Sequence, residues 1–251
     1  MKKLMCAVAA LSAGICLADV TSANIVGYQT FTVAKNKYYA LAVQFKDVKS
    51  STTTMPIQNL ITSSNPKGYT KLHSRADQIH VWTGMAWAKY YLNSNLNKFV
   101  KDGESVATED TVKNGDTVFF LRSAQGGTAD SITLPGEVNV VQSSVTVEVT
   151  KNKFHFISCP WPVDISVNDF KDFSSNPKGY TKLHSRADQV HRWTGMAWKK
   201  YYLNSNLNGY VLDGETAVTT DKIEAGEGVF FLRSAQGAVG DTITFAKPAG
   251  L

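Results

Sequence analysis

His73, Asp77 and His80 lie close together in the chain and recur as His184, Asp188 and His191. Imidazole and carboxylate together can hold a divalent metal or move a proton. Their spacing matches no zinc signature, and a strand starting near Gln78 scatters the three side chains. His80 therefore reads as a polar neighbour of tryptophan on a half-exposed sheet face. Glu104 and Glu215 lie in Asp-Gly-Glu turns. Paired carboxylates serve glycoside hydrolysis, but here each belongs to ordinary turn chemistry. Ser74 and Ser185 lack the strand-turn-helix elbow that presents a nucleophile. Cys159 sits in the apolar run from Phe156 to Trp161 and reads as a small buried hydrophobe. The sequence carries no cofactor signature.

Aromatic density is the chemistry that stands out. Trp82, Trp87, Tyr90 and Tyr91 cluster in one segment, and Trp193, Trp198, Tyr201 and Tyr202 in another. Rings flanked by amides such as Asn93, Asn95 and Asn97 suit a sugar, which offers apolar C–H faces and hydroxyls. The competing expectation is that the rings fill the core of a small β unit, and for the tryptophans it is the simpler one. For Tyr90 both readings stay open, because its face neighbour Ala88 becomes Lys199 in the second segment. The candidate ligand-binding residues are His80, Trp87, Tyr90, Tyr91, His191, Trp198, Tyr201 and Tyr202.

These residues recur because the chain is duplicated. SSNPKGYTKLHSRADQ occurs at Ser63–Gln78 and Ser174–Gln189, WTGMAW at Trp82–Trp87 and Trp193–Trp198, KYYLNSNLN at Lys89–Asn97 and Lys200–Asn208, and VFFLRSAQG at Val118–Gly126 and Val229–Gly237. Roughly 50 of about 70 aligned positions are identical in this block. Upstream, Lys35-Asn36-Lys37 matches Lys151-Asn152-Lys153 at a longer offset, so copy one carries a few extra residues within Lys49–Pro56.

The apolar runs are short and rich in Val, Ile, Tyr, Phe, Trp and Thr, which fit a pleated surface. Strands are predicted in copy one near Ile25–Val33, Tyr38–Phe45, Gln78–Trp82, Met85–Leu92, Val118–Arg122 and Ser131–Leu134. In copy two they are predicted near Val145–Val149, Phe154–Ser158, Gln189–Trp193, Met196–Leu203, Val229–Arg233 and Thr242–Phe245. One short helix per copy is expected, at Ile57–Ile61 behind Thr54 and Pro56, and at Val167–Phe173 capped by Ser166. Thr83-Gly84 reads as a two-residue hairpin loop with Trp82 opposite Met85. Val81 and Ala88 then share a face on which copy two gains Arg192 and Lys199, which predicts a preference of that copy for acidic polymers. The run Val118–Leu121 suits a central strand covered on both faces, closed by Arg122, and by Arg233 in copy two, at the sheet edge.

The N-terminus carries Lys2 and Lys3, an apolar run from Leu4 to Ile15, and small residues up to Ala18. This pattern predicts a signal peptide over residues 1–18 and export to the periplasm, cell surface or medium. No later run is apolar enough to span a bilayer. The formal charge of +5 falls to about +3 without Lys2 and Lys3, and the charges are interspersed, which disfavours nucleic acid as a partner. Of the three cysteines only Cys159 follows the predicted cleavage point, so no disulfide forms within the mature chain.

Ser22-Ala23-Asn24-Ile25-Val26-Gly27-Tyr28, Cys159-Pro160-Trp161-Pro162, the Trp-Thr-Gly hairpins and Gly226–Leu232 resemble a loose group of secreted bacterial proteins built from tandem β-rich repeats. The resemblance implies export, repetition and a β fold, and it supplies no catalytic residues. The fold class expected is all-β: two homologous units, near 22–136 and 137–251, each an antiparallel sandwich or small barrel with at most one short helix, joined around Pro135-Gly136 and packed on each other. The function expected is a non-catalytic structural or protein-interaction role. A bivalent carbohydrate-binding module using the hairpin aromatics is the alternative, and a hydrolase ranks third. The partners expected are polysaccharide or protein at or beyond the cell surface.

Overall fold

The computed structural model describes residues 26–48, 53–71, 73–182 and 184–251. The predicted signal peptide over 1–18, the predicted start of the first strand at Ile25 and part of the expected copy-one insertion lie outside the described residues. The fold is all-β, with 45% of residues in strands and 7% helical, far below the ordinary helical share of about a third.

Copy one contains β1 (Val26–Val33), β2 (Tyr38–Ala42), β3 (Phe45–Lys46), β4 (Thr54–Pro56), β5 (Thr62–Ser63), β6 (Gln78–Trp82), β7 (Trp87–Asn93), β8 (Lys98–Lys101), β9 (Thr111–Lys113), β10 (Thr117–Leu121) and β11 (Asp130–Val138), with helix α1 at Ile57–Leu60. Copy two contains β12 (Ser144–Val149), β13 (Phe154–Ser158), β14 (Ile165–Ser166), β15 (Gln189–Trp193), β16 (Trp198–Asn204), β17 (Gly209–Leu212), β18 (Lys222–Ile223), β19 (Gly228–Leu232) and β20 (Asp241–Ala246), with helix α2 at Asp169–Phe173. Among the described residues each copy also has one 3₁₀ turn, at His73–Arg75 and His184–Arg186.

The principal sheet runs β2-β10-β6-β7-β8 in copy one and β13-β19-β15-β16-β17 in copy two. The same strand order in both follows from the same apolar pattern and the same turns. Asn36 and Asn152 share φ 58°, and Asn97 and Asn208 share φ 49°, the left-handed conformation that asparagine tolerates at tight turns. The second layer is β1-β11-β3, with β5 on β11, in copy one, and β12-β20 in copy two. In copy one the layers share one hydrophobic cluster, in which Val33, Ile132 and Leu134 join Ile79, Tyr90, Val118 and Phe120.

Three expectations are corrected in detail. The hairpin loop has four residues, Thr83–Ala86, with Trp82 opposite Trp87 and Val81 opposite Ala88. The Thr83 N–H donates to the Ala86 carbonyl at 3.0 Å, and the Ala86 N–H donates to Thr83 Oγ1 at 3.2 Å, which closes the loop. A register shift of two residues preserves side-chain parity, so the expected faces survive it. Second, Pro135 and Gly136 do not join the units. They lie inside β11, opposite Tyr28 and Gly27, and a Cβ on Gly136 would come within 2.7 Å of the Lys46 carbonyl. The chain leaves this layer only after Val138. Third, Arg122 and Arg233 lie not at a sheet edge but in the interior, with no exposed surface.

Candidate functional site

Strand β10 is apolar from Val118 to Leu121, and both its faces are covered. Val118 and Phe120 face the core of copy one, and Phe119 faces copy two. The principal sheets of the two copies meet at this seam, and the contacts come in matched pairs. The Ala42 N–H donates to the Gly226 carbonyl and the Ser158 N–H to the Gly115 carbonyl, both at 2.8 Å. Trp82 Nε1 donates to the Phe154 carbonyl and Trp193 Nε1 to the Tyr38 carbonyl, both at 2.9 Å. Leu41 bridges to Glu227 as Ile157 bridges to Asp116. Each pair exchanges equivalent positions of the two copies, so the seam has the self-complementary form of a two-fold dimer interface.

The symmetry breaks near the axis. Phe156 stands where copy one has Ala40, and its ring packs against both Phe119 at 4.9 Å and Phe230 at 4.3 Å. Gly228 stands where copy one has Thr117, and a Cβ there would collide with the Thr117 side chain. Thr117 thus meets a glycine, which favours pairing copy one with copy two over pairing like with like.

The candidate residues separate into three groups. Trp87 and Trp198 are half-buried at the seam. His80 and His191 lie beneath them, buried. Gln78 Nε2 donates to the His73 carbonyl, so its Oε1 accepts from His80 Nε2 at 2.8 Å. Burial, reinforced by Lys89, pushes the His80 pKa down to about 4, and burial with Lys200 does the same for His191. Tyr90 and Tyr201 turn into the core, which closes the reading of Tyr90 as an exposed platform. Their hydroxyls donate to Asp110 at 2.7 Å and Asp221 at 2.5 Å. Burial and then that carboxylate raise both phenol pKa values. Tyr91 and Tyr202 are also buried, stacked on His73 and His184 at 3.6 Å.

The metal reading of His73, Asp77 and His80 finds each side chain committed elsewhere. His73 Nδ1 bonds Asp102 at 2.8 Å. Asp77 accepts from Arg122 at 2.5 Å and from the backbone of Lys67 and Ser123. Arg122 also bonds Asp130 and the Asn65 carbonyl, and Arg233 repeats the pattern with Asp188, Asp241 and Asn176. Burial raises the pKa of Asp77 and Asp188 in spite of the guanidinium. Sequence reasoning missed this anchor. Its signal was available, since the arginine and both aspartates are unchanged between copies. Cys159 is buried, and burial pushes its thiol up to about 11, the inert state expected for it.

The charge gained by copy two is neutralised where it arises. Arg192 makes a two-pronged ion pair with Glu227 at 2.9 and 3.0 Å. Lys199 bonds Asp221 at 3.2 Å, the task Lys101 performs for Asp110 in copy one, where copy two has Leu212. The expected preference of copy two for acidic polymers loses its basis.

An open cleft of about 400 Å³ lies on the seam. Copy one contributes Trp82, Trp87 and Phe119, and copy two contributes Phe154, His191, Trp198 and Phe230. The rings are tilted rather than coplanar: 60° between Trp82 and Trp87, 75° between Trp87 and Phe230, 55° between Trp198 and Phe230. They form walls, not a flat platform. Comparison with protein-family models, with curated proteins and with solved structures finds no match.

Proposed function

We propose that the protein is exported and works without catalysis, in a structural or protein-interaction role. One observation carries this reading. The tryptophans that could have served two separate ligand platforms are drawn into one seam between the copies, the tyrosines are buried within each copy, and the histidines beside the seam are bonded internally. The buried arginine anchors add rigidity to each copy. Such a body offers partners a fixed surface. Whole-protein cross-linking in the producing cell, followed by mass spectrometry of the partners, tests the role. Finding the mature N-terminus after Ala18 in material outside the cytoplasm tests export.

A carbohydrate-binding module is the second reading, favoured by the tryptophan-lined cleft. It would differ from the sequence expectation in valence, because both copies contribute to one cleft and the chain would bind once, not twice.

A further inference from the structure

The second layers of the two copies end in open edges, and the copies differ in how they guard them. Strand β1 is the outermost strand of β1-β11-β3, and β12 is the corresponding edge strand of β12-β20. Among the described residues neither strand has a partner on its outer side. An unpaired edge invites another strand, and proteins commonly guard it with charge, proline, a bulge or short length. Strand β1 has none of these guards. Its eight residues pair with β11 without interruption, from Val26 opposite Glu137 to Val33 opposite Asp130. All are uncharged, and none is proline.

Copy two carries the guarded version of the same edge. Aligned on Lys35 and Lys151, Gln142 stands for Val26, Ser144 for Tyr28 and Glu148 for Thr32. Thr30 and Thr146 support the alignment, since each bonds a threonine on the neighbouring strand, Thr133 and Thr244. These three changes fall on the outward face. Copy one exposes Val26 at 63% and Tyr28 at 76%, where copy two exposes a glutamine and a serine. Inward side chains fix β1 in place: Val33 is buried, and Gln29 Nε2 donates to the Ala225 carbonyl of copy two.

The absence of charge selects the occupant. When β1 pairs antiparallel with a second β1, a two-fold axis brings side chains near their own counterparts, so a charge would meet its like. An uncharged edge suits that contact, and Glu148 opposes it in β12. A strand from another protein carries no such constraint, because its charges can differ. Side chains directly opposite share a face, so the register centred on Gln29 sets Tyr28 opposite Thr30 and Val26 opposite Thr32 of the second copy. Both exposed apolar side chains then gain a β-branched neighbour. We propose that β1 is a self-association edge, through which two copies of this chain form a two-fold dimer with their β1 strands paired antiparallel. This inference rests on the structural or protein-interaction reading and names the partner as a second copy.

The test is sedimentation velocity of the chain without its predicted leader, over a range of concentrations. The parent is expected to form a dimer reversibly. Tyr28→Lys and Tyr28→Glu are each expected to weaken that dimer about tenfold. Mixing the two variants should restore it, because the side chains at position 28 are diagonal neighbours across the axis. Ser144→Lys, at the matching place on β12, should leave the association unchanged. A Tm within a few degrees of the parent shows that the variants are folded. A parent still monomeric at about 1 mM overturns the proposal. So does a dimer that persists in both Tyr28 variants, one that the mixture fails to restore, or one that Ser144→Lys breaks. Cross-linking in the producing cell that captures other proteins, from a chain that is monomeric when purified, overturns this contact and leaves the interaction role standing. A purified dimer that cross-links in the cell neither to itself nor to any other protein removes that role and leaves the contact.

Discussion

Acidification should loosen this protein through two histidines. His80 and His191 lie buried at the seam, and their pKa values sit near 4 against an ordinary 6.5. Each stays neutral when folded, with Nε2–H donated to Gln78 or Gln189, so the second proton must go to Nδ1. The unfolded chain binds that proton near pH 6.5. The stabilisation is therefore complete above pH 6.5 and is lost as pH falls toward 4. By pH 4.5 the loss is about 2.5 kcal/mol per imidazole, or about 5 kcal/mol for the pair. That is a large part of the roughly 5–15 kcal/mol an ordinary fold possesses. The assay is urea denaturation of the parent and of His80→Gln/His191→Gln at pH 7.5, 6.5, 5.5 and 4.5. Carboxylates titrate in both proteins and cancel in the difference. The stability difference between parent and variant should shift by about 5 kcal/mol in favour of the variant across this range. A difference that holds within about 1 kcal/mol at every pH would refute the reasoning.

Three further outcomes follow from the packing. Arg122→Met leaves Asp77 buried without its cation and should cost about 3–5 kcal/mol in urea denaturation, with Arg233→Met doing the same in copy two. Tyr210 is wholly buried with an unpartnered hydroxyl, where copy one has Phe99; Tyr210→Phe should stabilise by about 1 kcal/mol, seen as a higher Tm. Phe156→Ala should cost about 3 kcal/mol or more by opening a cavity at the seam, and Ala40→Phe should destabilise by overpacking. The double variant should recover most of the loss, because the ring returns from the opposite copy, and thermal melts that show simple additivity would contradict the pseudo-two-fold seam.

Residue order determined by itself what depends on local pattern. Gln78–Trp82, Phe154–Ser158 and Gln189–Trp193 are strands as read, because alternation and β-branched or aromatic side chains specify a strand within a few residues. The repeat was legible as identity, and the apolar run at Val118–Leu121 announced a strand covered twice. Shorter pieces such as β4, β9 and β18 were missed, since two or three residues carry no period.

The tertiary structure alone decided what covers each face. Trp87 and Tyr90 are three residues apart and equally aromatic, yet one lines the seam and the other enters the core, because strand alternation points them to opposite sides and different partners wait on each. Arg122 follows an apolar strand in a manner that fits an edge. Only the approach of Asp77 and Asp130, 45 and 8 residues distant, makes a buried guanidinium tolerable there. The differences Ala40 against Phe156 and Thr117 against Gly228 look like neutral drift along the chain. Set face to face, the copies seat Thr117 against Gly228 and bring the Phe156 ring onto Phe119 and Phe230. Long-range packing is not encoded in any local window, so one composite cleft rather than two separate platforms could emerge only from the folded molecule.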